Sequence, residues 1–111
     1  MAFADWQFLL EYDHTKIYAQ VKKIKRVGNV ASTYLMYDYP QPKGLGPNAY
    51  RSTMSYVDFD CKNEKLRIQS IVGYTESKGT GKAIGPEKGS EWAVIFPGSI
   101  DETLMKRICQ N

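Results

Sequence analysis

The chain has 111 residues, which is the size of one domain with a modest hydrophobic core. Its 42% hydrophobic and 24% charged residues are typical of globular domains and exclude a disordered or fibrous chain. Fifteen Lys and Arg against twelve Asp and Glu leave a net charge of +3, which does not require a nucleic-acid partner. Because no apolar run of about 18 residues occurs, the sequence predicts no transmembrane segment.

The first four residues stand apart from the domain that follows them. Ala2-Phe3-Ala4 has the small-x-small form of a signal-peptidase site. Either residues 1–4 are the end of a removed export signal behind a start Met, or they are an unrelated chain start with a chance Ala-x-Ala. In both cases we expect a single domain at 5–111.

Short runs of β-branched and aromatic residues predict a protein dominated by strands. The first two strands are expected at 5–12 and 16–20. The dipeptide Gly28-Asn29 follows, with glycine first as a type II′ turn requires, and it predicts a two-residue hairpin.

A proline-rich stretch interrupts the strands in the middle of the chain. Pro40 is expected to end the second arm of the hairpin, and 41–48 is expected to be an exposed loop because it holds two Pro and two Gly. Long strands are predicted at about 50–61 and 65–76, each with one apolar face. The expected apolar residues are Val57, Phe59 and Cys61 in the first strand, and Leu66, Ile68, Val72 and Tyr74 in the second.

The last third of the chain predicts a connection, a short strand and a helix. Residues 76–91 are rich in Gly and Lys and are expected to be a mobile connection, whereas 92–96 reads as a strand. Ser99 and Glu102 then form the S-x-x-E capping box that begins a helix. An apolar residue every fourth position gives this helix one face to bury, formed by Ile100, Leu104 and Ile108.

Cys61 and Cys109 are the two cysteines of the chain, and four roles are open to them. A nucleophile needs a base, and the single histidine, His14, lies in a polar turn without any feature that would activate a thiol. A metal site needs three or four ligands, which two Cys and one His at this spacing do not supply. A disulfide fits an even cysteine count in a small exported domain, whereas two free buried thiols fit a cytosolic protein.

We predict the disulfide, because it ties the last helix to the end of a strand. The expected fold class is therefore α+β, with an antiparallel sheet of about six strands, one C-terminal helix packed on it and one disulfide. No catalytic residue, metal ligand or cofactor-binding residue is assigned.

Four basic residues within five positions form the one concentration of charge. Such a cluster can contact phosphates, acidic glycans or an acidic protein surface, but lysines also blunt the solvated edge of a sheet. We name Lys22, Lys23, Lys25 and Arg26 the basic cluster and treat it as a candidate partner-binding site.

The order of residues along nearly the whole chain resembles the surface-adhesin protein E family of Gram-negative bacteria. The residues that carry the resemblance are Trp6, Tyr18, Gly28-Asn29, Asp38-Tyr39, Tyr50-Arg51-Ser52, Asp58 to Cys61, Arg67, Ser70, Tyr74, Gly79 to Gly81, Trp92, Pro97 to Ser99 and Cys109. The resemblance implies an exported protein with an antiparallel sheet, a C-terminal helix and a Cys pair. It also implies binding of extracellular-matrix proteins at the cell surface, and an association with haem.

We therefore expect a non-catalytic envelope binding domain, periplasmic or at the cell surface, whose partner is a matrix or envelope protein. Its candidate contacts are the basic cluster, the loop 41–48 and the tyrosines of 34–39, although strand tyrosines are more often packing. Exposed sheet edges also make a homodimer a reasonable expectation.

Three other functions are kept as alternatives. Aromatic strands beside basic residues can grip single-stranded nucleic acid, although the small net charge speaks against it. A small periplasmic ligand such as haem needs an axial ligand, for which His14, Met36 and Met54 are available. An enzyme has the least support, because the glycine-rich segment 79–85 lacks the spacing of a phosphate-binding loop.

Overall fold

The computed structural model describes residues 5–110, and within them eight strands form one sheet beside one α-helix. The interpretation of residues 1–4 as an export-signal end lies outside the described residues. The elements are β1 (Gln7–Tyr12), β2 (Thr15–Ala19), β3 (Lys25–Val27), β4 (Val30–Lys43), β5 (Tyr50–Asp60), β6 (Lys65–Tyr74), β7 (Ala83–Lys88), β8 (Ala93–Val94) and α1 (Ile100–Cys109).

The strands are antiparallel to their neighbours in the order β1-β2-β4-β5-β6-β7. Strand β3 pairs with the beginning of β4, and β8 pairs with the beginning of β6. The predicted antiparallel sheet and C-terminal helix are confirmed, but the expected number of about six strands is wrong for the described part of the chain. None of the helices in residues 5–110 is long and apolar enough to span a membrane.

Strand β7 is the main element that the sequence did not predict. It lies within 76–91, which was expected to be a connection, and it pairs with β6 from Ser70 to Tyr74. Main-chain hydrogen bonds hold a strand in place without apolar side chains, so its polar composition did not indicate it. The expected strand at 92–96 does pair in the sheet, but only over Ala93–Val94.

The hairpin between β3 and β4 turns at Gly28-Asn29 as predicted. Val27 pairs with Val30 across the turn, and Gly28 adopts a φ of 59°, which its first position in a type II′ turn requires.

Pro40 does not end β4, in contrast to the prediction. The strand continues to Lys43, so 41–43 is extended chain, while Gly46–Asn48 forms a 3₁₀ turn. The pairing with β5 is interrupted between Asp38 and Lys43, which is where a proline that lacks a backbone donor is tolerated. The predicted exposure of 41–48 is confirmed.

Helix α1 packs on one face of the sheet and closes the main core. Ser99 accepts a hydrogen bond from the Glu102 backbone N–H, as the capping box predicts. The Glu102 carboxylate accepts from the backbone N–H of Gly98 rather than from that of Ser99, so its half of the box is displaced by one residue. The helix buries Leu104, Met105 and Ile108 against the sheet, opposite Leu9, Ile17, Leu35, Val57 and Phe59.

The predicted disulfide joins Cys61, at the end of β5, to Cys109 at the end of α1. Their sulfur atoms are bonded at 2.02 Å and their Cα atoms lie 5.9 Å apart. The bond therefore anchors the C-terminal end of the helix to the sheet, as the sequence analysis expected.

A β-bulge changes which residues of β6 face the helix. Tyr56 pairs with Ser70 and Val57 pairs with Ile68, so Gln69 is an extra residue between them. The bulge shifts the alternation, and Ile71 rather than Val72 follows Ile68 on the helix side. The prediction of one continuous apolar face through Val72 and Tyr74 was wrong for this reason.

The opposite face of the sheet carries a second, smaller core. Trp6, Tyr18 and Met36 are buried there, and Met54 packs against them. The 3₁₀ turn at Ser77–Gly79 lies against the two methionines.

Candidate functional site

Helix α1 leaves part of its own sheet face uncovered. Between the first turns of the helix and strand β6 lies a depression of about 230 Å³. Its walls are mostly apolar and aromatic, with four hydroxyl-bearing residues and one carboxylate, which is the usual make-up of a binding pocket. Its lining residues include Tyr37, Tyr39, Thr53, Ser55, Ile68, Ile71, Asp101 and Leu104.

Two further depressions adjoin the first one. A depression of about 180 Å³ toward β7 shares Thr53 and Ile71 with it. Another of about 360 Å³ toward β2 shares Tyr37, Tyr39 and Asp101. We call these three depressions together the tyrosine groove, which crosses the sheet from β2 to β7.

Aromatic rings and one lysine surround the middle of the tyrosine groove. The Tyr39 ring centroid lies 6.3 Å from that of Tyr37 and 5.9 Å from that of Tyr50. The Nζ atom of Lys43 lies 5.3 Å from the Tyr39 centroid, which is within the range of a cation–π contact. The tyrosines at 37 and 39 and the proline-rich segment 41–48 therefore meet at one place.

Burial raises the pKa of three groups that line the groove, Tyr37, Tyr39 and Asp101. Burial raises the pKa of Tyr37, and the nearby charge of Asp101 raises it further. Burial also raises the pKa of Tyr39 above its usual value, although a hydrogen bond with Thr53 opposes this. The pKa of the Asp101 carboxyl is raised by partial burial as well. At neutral pH the two tyrosine hydroxyls remain hydrogen-bond donors.

The basic cluster lies outside the tyrosine groove. Lys22 and Lys23 are exposed in a 3₁₀ turn, and Lys25 is exposed in β3. Arg26 donates to the Cys109 carbonyl at 3.0 Å, so it caps the end of α1 and is the least available of the four. Lys23 lies 4.0 Å from the Asp5 carboxylate.

A buried carboxylate lies on the face of the sheet opposite the helix. The Asp58 residue is 1% exposed. Its carboxylate accepts hydrogen bonds from Ser32 at 2.6 Å, from Gln69 at 2.8 and 2.9 Å, and from Arg67. Burial by itself raises the pKa of Asp58, but these hydrogen bonds and the Arg67 charge outweigh burial, and the pKa is lowered.

Aromatic side chains flank this carboxylate. The Arg67 guanidinium stacks on the Trp92 ring at 4.5 Å, and the centroids of Tyr34 and Tyr56 lie 4.7 Å apart. Tyr34 is 42% exposed and Trp92 is 36% exposed. This aromatic surface is separated from the tyrosine groove by the thickness of the sheet.

The residues considered for haem do not form a site. His14 is exposed in the turn between β1 and β2, whereas Met36 is fully buried and Met54 packs against it. The thioethers lie under Gly79, where even an added Cβ would overlap Met54. His14, Met36 and Met54 therefore do not come together as a haem ligand set. Within residues 5–110, no group of three or more His, Cys, Asp or Glu side chains is positioned to hold a metal ion.

Only part of the tyrosine groove was predicted from the sequence. The tyrosines of 34–39 and the segment 41–48 were predicted contacts, but Tyr50, Ile71 and Asp101 were not. Tyr50 carried a signal, since it lies two residues after the end of that loop. Ile71 carried none, because the bulge at Gln69 decides which way it points.

The fold defines a class of small disulfide-linked domain, built from one antiparallel sheet and one C-terminal helix. The family model for surface-adhesin protein E matches residues 6–110, and the chain belongs to this family. A comparison with curated protein sequences found no match.

Solved structures of Haemophilus influenzae protein E share this fold. One aligns with a TM-score of 0.75 at 16% identity, covering 96% of this chain and 85% of the other. Its crystal form II aligns with a TM-score of 0.72 at 17% identity, covering 85% and 80% of the two chains. Protein E from non-typeable Haemophilus influenzae aligns with a TM-score of 0.71 at 17% identity, covering 94% and 76%. At these identities the likeness concerns the fold.

Proposed function

We propose that this chain is a non-catalytic binding domain of the bacterial envelope that contacts a matrix or envelope protein. The observation that carries the proposal is the family match over residues 6–110, since the family is named for adhesion at the surface. Fold alone does not define an activity, so the partner has to be sought at the surfaces of this chain.

The disulfide supports an exported location. A bond between Cys61 and Cys109 persists in an oxidising compartment and is rare in the cytosol. We propose that the mature domain spans 5–111 and acts in the periplasm or at the cell surface. A comparison of surface-protease sensitivity in intact and permeabilised cells separates these two locations.

The basic cluster is the first surface to test for partner contact. Three lysines, Lys22, Lys23 and Lys25, project from adjacent turns and strands, and Arg26 is engaged with the end of α1. Exposed like charges at one place attract an acidic protein surface and accelerate its association.

The test is a pull-down from envelope extract and from matrix proteins. The variant Lys22→Glu/Lys23→Glu/Lys25→Glu is compared with Lys62→Glu/Lys82→Glu/Lys88→Glu, which changes the same net charge at exposed sites elsewhere. Capture that is lost only in the first variant supports the cluster as the contact. Absence of any saturable capture by the unmodified chain would contradict the proposed function.

Single-stranded nucleic acid is a second candidate, favoured by one observation. The neighbouring Tyr34 and Tyr56 rings lie on the same face as the Arg67–Trp92 pair, and exposed rings beside cations are how single strands are bound. The net charge of +3 speaks against it. No retention of the chain on an oligonucleotide column at low salt would remove this candidate.

A homodimer through the sheet edges is also proposed. Strands β1 and β7 are the two ends of the strand order. Because unpaired edges invite pairing, sedimentation at increasing concentration is expected to reveal a dimer. A sedimentation coefficient that stays constant and monomeric would contradict it.

A further inference from the structure

The tyrosine groove has the length of a short extended chain. It runs from Ile17 of β2 to Ile84 of β7, across five neighbouring strands. Four strand spacings of about 4.8 Å make it about 19 Å long, which is the length of about six extended residues. The apolar residues of this span that the short helix leaves partly accessible are Ile68, Ile71 and Ile84.

The charges of the groove are opposite to the charge of the whole chain. The three depressions are lined by three carboxylates and one lysine, namely Asp13, Glu87, Asp101 and Lys43. The chain as a whole carries +3. A negatively lined groove on a positively charged protein favours a ligand that is itself basic.

The middle of the groove already binds a cation over an aromatic ring. Lys43 lies over Tyr39, with Tyr37 and Tyr50 next to that ring and Asp101 lining the same place. Aromatic faces together with a carboxylate bind ammonium and guanidinium groups better than either does alone. Burial keeps both tyrosine hydroxyls protonated there, so they add neutral donors and no competing charge.

The apolar walls place a second requirement on the ligand. Ile68, Ile71 and Ile84 are half-buried on the β6–β7 side, and Leu104 closes the helix side. A ligand made only of charged groups would leave this apolar surface in contact with water, whereas a ligand with apolar side chains at alternate positions would bury it.

We propose that the tyrosine groove binds an extended protein segment of about six residues with alternating apolar and basic side chains, and that one Lys or Arg lies between Tyr37, Tyr39 and Asp101. This inference rests on the proposed function, because it names the kind of partner that the binding domain would take.

The probe is the peptide acetyl-Leu-Lys-Leu-Lys-Leu-Lys-amide, titrated into the isotope-labelled full chain at low and physiological salt. We expect amide shifts concentrated at Ile71, Ile84 and Asp101. The same peptide with Glu in place of Lys is expected to bind at least about ten-fold more weakly, since it places carboxylates against Glu87 and Asp101. A third peptide with Ser in place of Leu tests the apolar walls and is also expected to bind more weakly.

The matched variants are Glu87→Gln/Asp101→Asn, which removes two groove carboxylates, and Glu64→Gln/Glu91→Gln, which removes two exposed carboxylates outside the groove. The groove variant is expected to weaken the lysine peptide about three-fold or more, and the control variant less than two-fold. Ile84→Lys, on the edge strand, should abolish binding while leaving the thermal unfolding curve of the chain unchanged.

Three results would overturn the inference. They are equal binding of the lysine and glutamate peptides, equal binding of the leucine and serine peptides, and equal losses in the two double variants. Capture of a matrix protein that Ile84→Lys leaves intact would contradict this inference while the proposed function stands. Peptide binding without capture of any matrix or envelope protein would contradict the proposed function while this inference stands.

Discussion

Arg67 donates two hydrogen bonds to one carboxylate oxygen of Asp58, from Nη2 at 2.7 Å and from Nε at 3.1 Å. The Asp58 side chain is 2% exposed and that of Arg67 is 40% exposed, so the pair connects the interior of the sheet to its surface. The guanidinium also stacks on the ring of Trp92, which lies between β7 and β8 in the chain.

Arg67→Met is expected to lower the free energy of unfolding by about 3 kcal/mol, because it leaves the Asp58 charge buried without its cation. This loss is at the lower end of the range for a broken buried ion pair, because Ser32 and Gln69 still donate hydrogen bonds to the carboxylate. Urea denaturation measures it. Lys65→Met, an exposed change in the same strand, is the control and should shift stability by no more than about 0.5 kcal/mol.

The fold should become less stable at acidic pH, because protonation of Asp58 removes a stabilising contribution. Its pKa is lower in the folded chain than the value of about 3.9 expected after unfolding. Such a group stabilises the fold above the unfolded pKa, and this contribution is lost as the pH falls through the folded pKa. The difference in unfolding free energy between the unmodified chain and Asp58→Asn should therefore be constant between about pH 5 and about pH 7, and it should shrink below about pH 4. Parallel pH profiles for the two proteins would be the contrary result.

The disulfide is expected to contribute about 4 kcal/mol, since it closes a loop with a sequence separation of 48 residues. Urea denaturation with and without a reductant measures this contribution. Cys61→Ser/Cys109→Ser serves as the control, and it should behave like the reduced chain in both conditions. If reductant also destabilises the double variant, the effect does not come from this bond.

Gly89→Ala should destabilise the chain by about 2 kcal/mol or more. A Cβ at Gly89 would overlap the backbone carbonyl oxygens of Ile68 and Gln69, at the β6 bulge, where rigid main chain cannot move aside. The neighbouring Ser90 donates its N–H to the Ile68 carbonyl at 2.7 Å and accepts from the Ile68 N–H at 3.1 Å.

The comparison for Gly89 is Gly46→Ala, which adds the same methyl group in open space. It is expected to cost about 1 kcal/mol through its φ of 66° alone. Thermal unfolding of both variants ranks the two effects. A smaller loss for Gly89 than for Gly46 would mean that the bulge is not a rigid contact.

Local chemistry made several elements of this fold predictable from the sequence. Ser99 and Glu102 mark the helix start because both hydrogen bonds of the cap lie within five residues. Gly28-Asn29 marks the hairpin because one residue had to adopt a positive φ. Cys61 and Cys109 could be paired because only two cysteines exist, although the metal and free-thiol alternatives remained open until the sulfur atoms were located.

Other features depended on neighbours far along the chain. Strand β7 exists because β6 offers it an edge, and the path of β4 through Pro40 exists because its pairing with β5 is already interrupted there. Asp58 alternates with Val57 and Phe59, so the sequence places it on the opposite face of β5 and gives no sign that it is buried. Only the arrival of Arg67 and Gln69 from the next strand made burial of that carboxylate possible.

The sequence by itself determined the composition of strands and helix, the cap of α1 and the cysteine pair, because these rest on interactions between near neighbours. The tertiary structure decided the tyrosine groove, because its walls come from β4, β6, β7 and α1 and no short stretch contains two of them. The alternation of side chains between the two faces can be predicted along a single strand. One inserted residue such as Gln69 exchanges the two faces for the residues that follow, and the insertion is recognised only from the pairing with the partner strand.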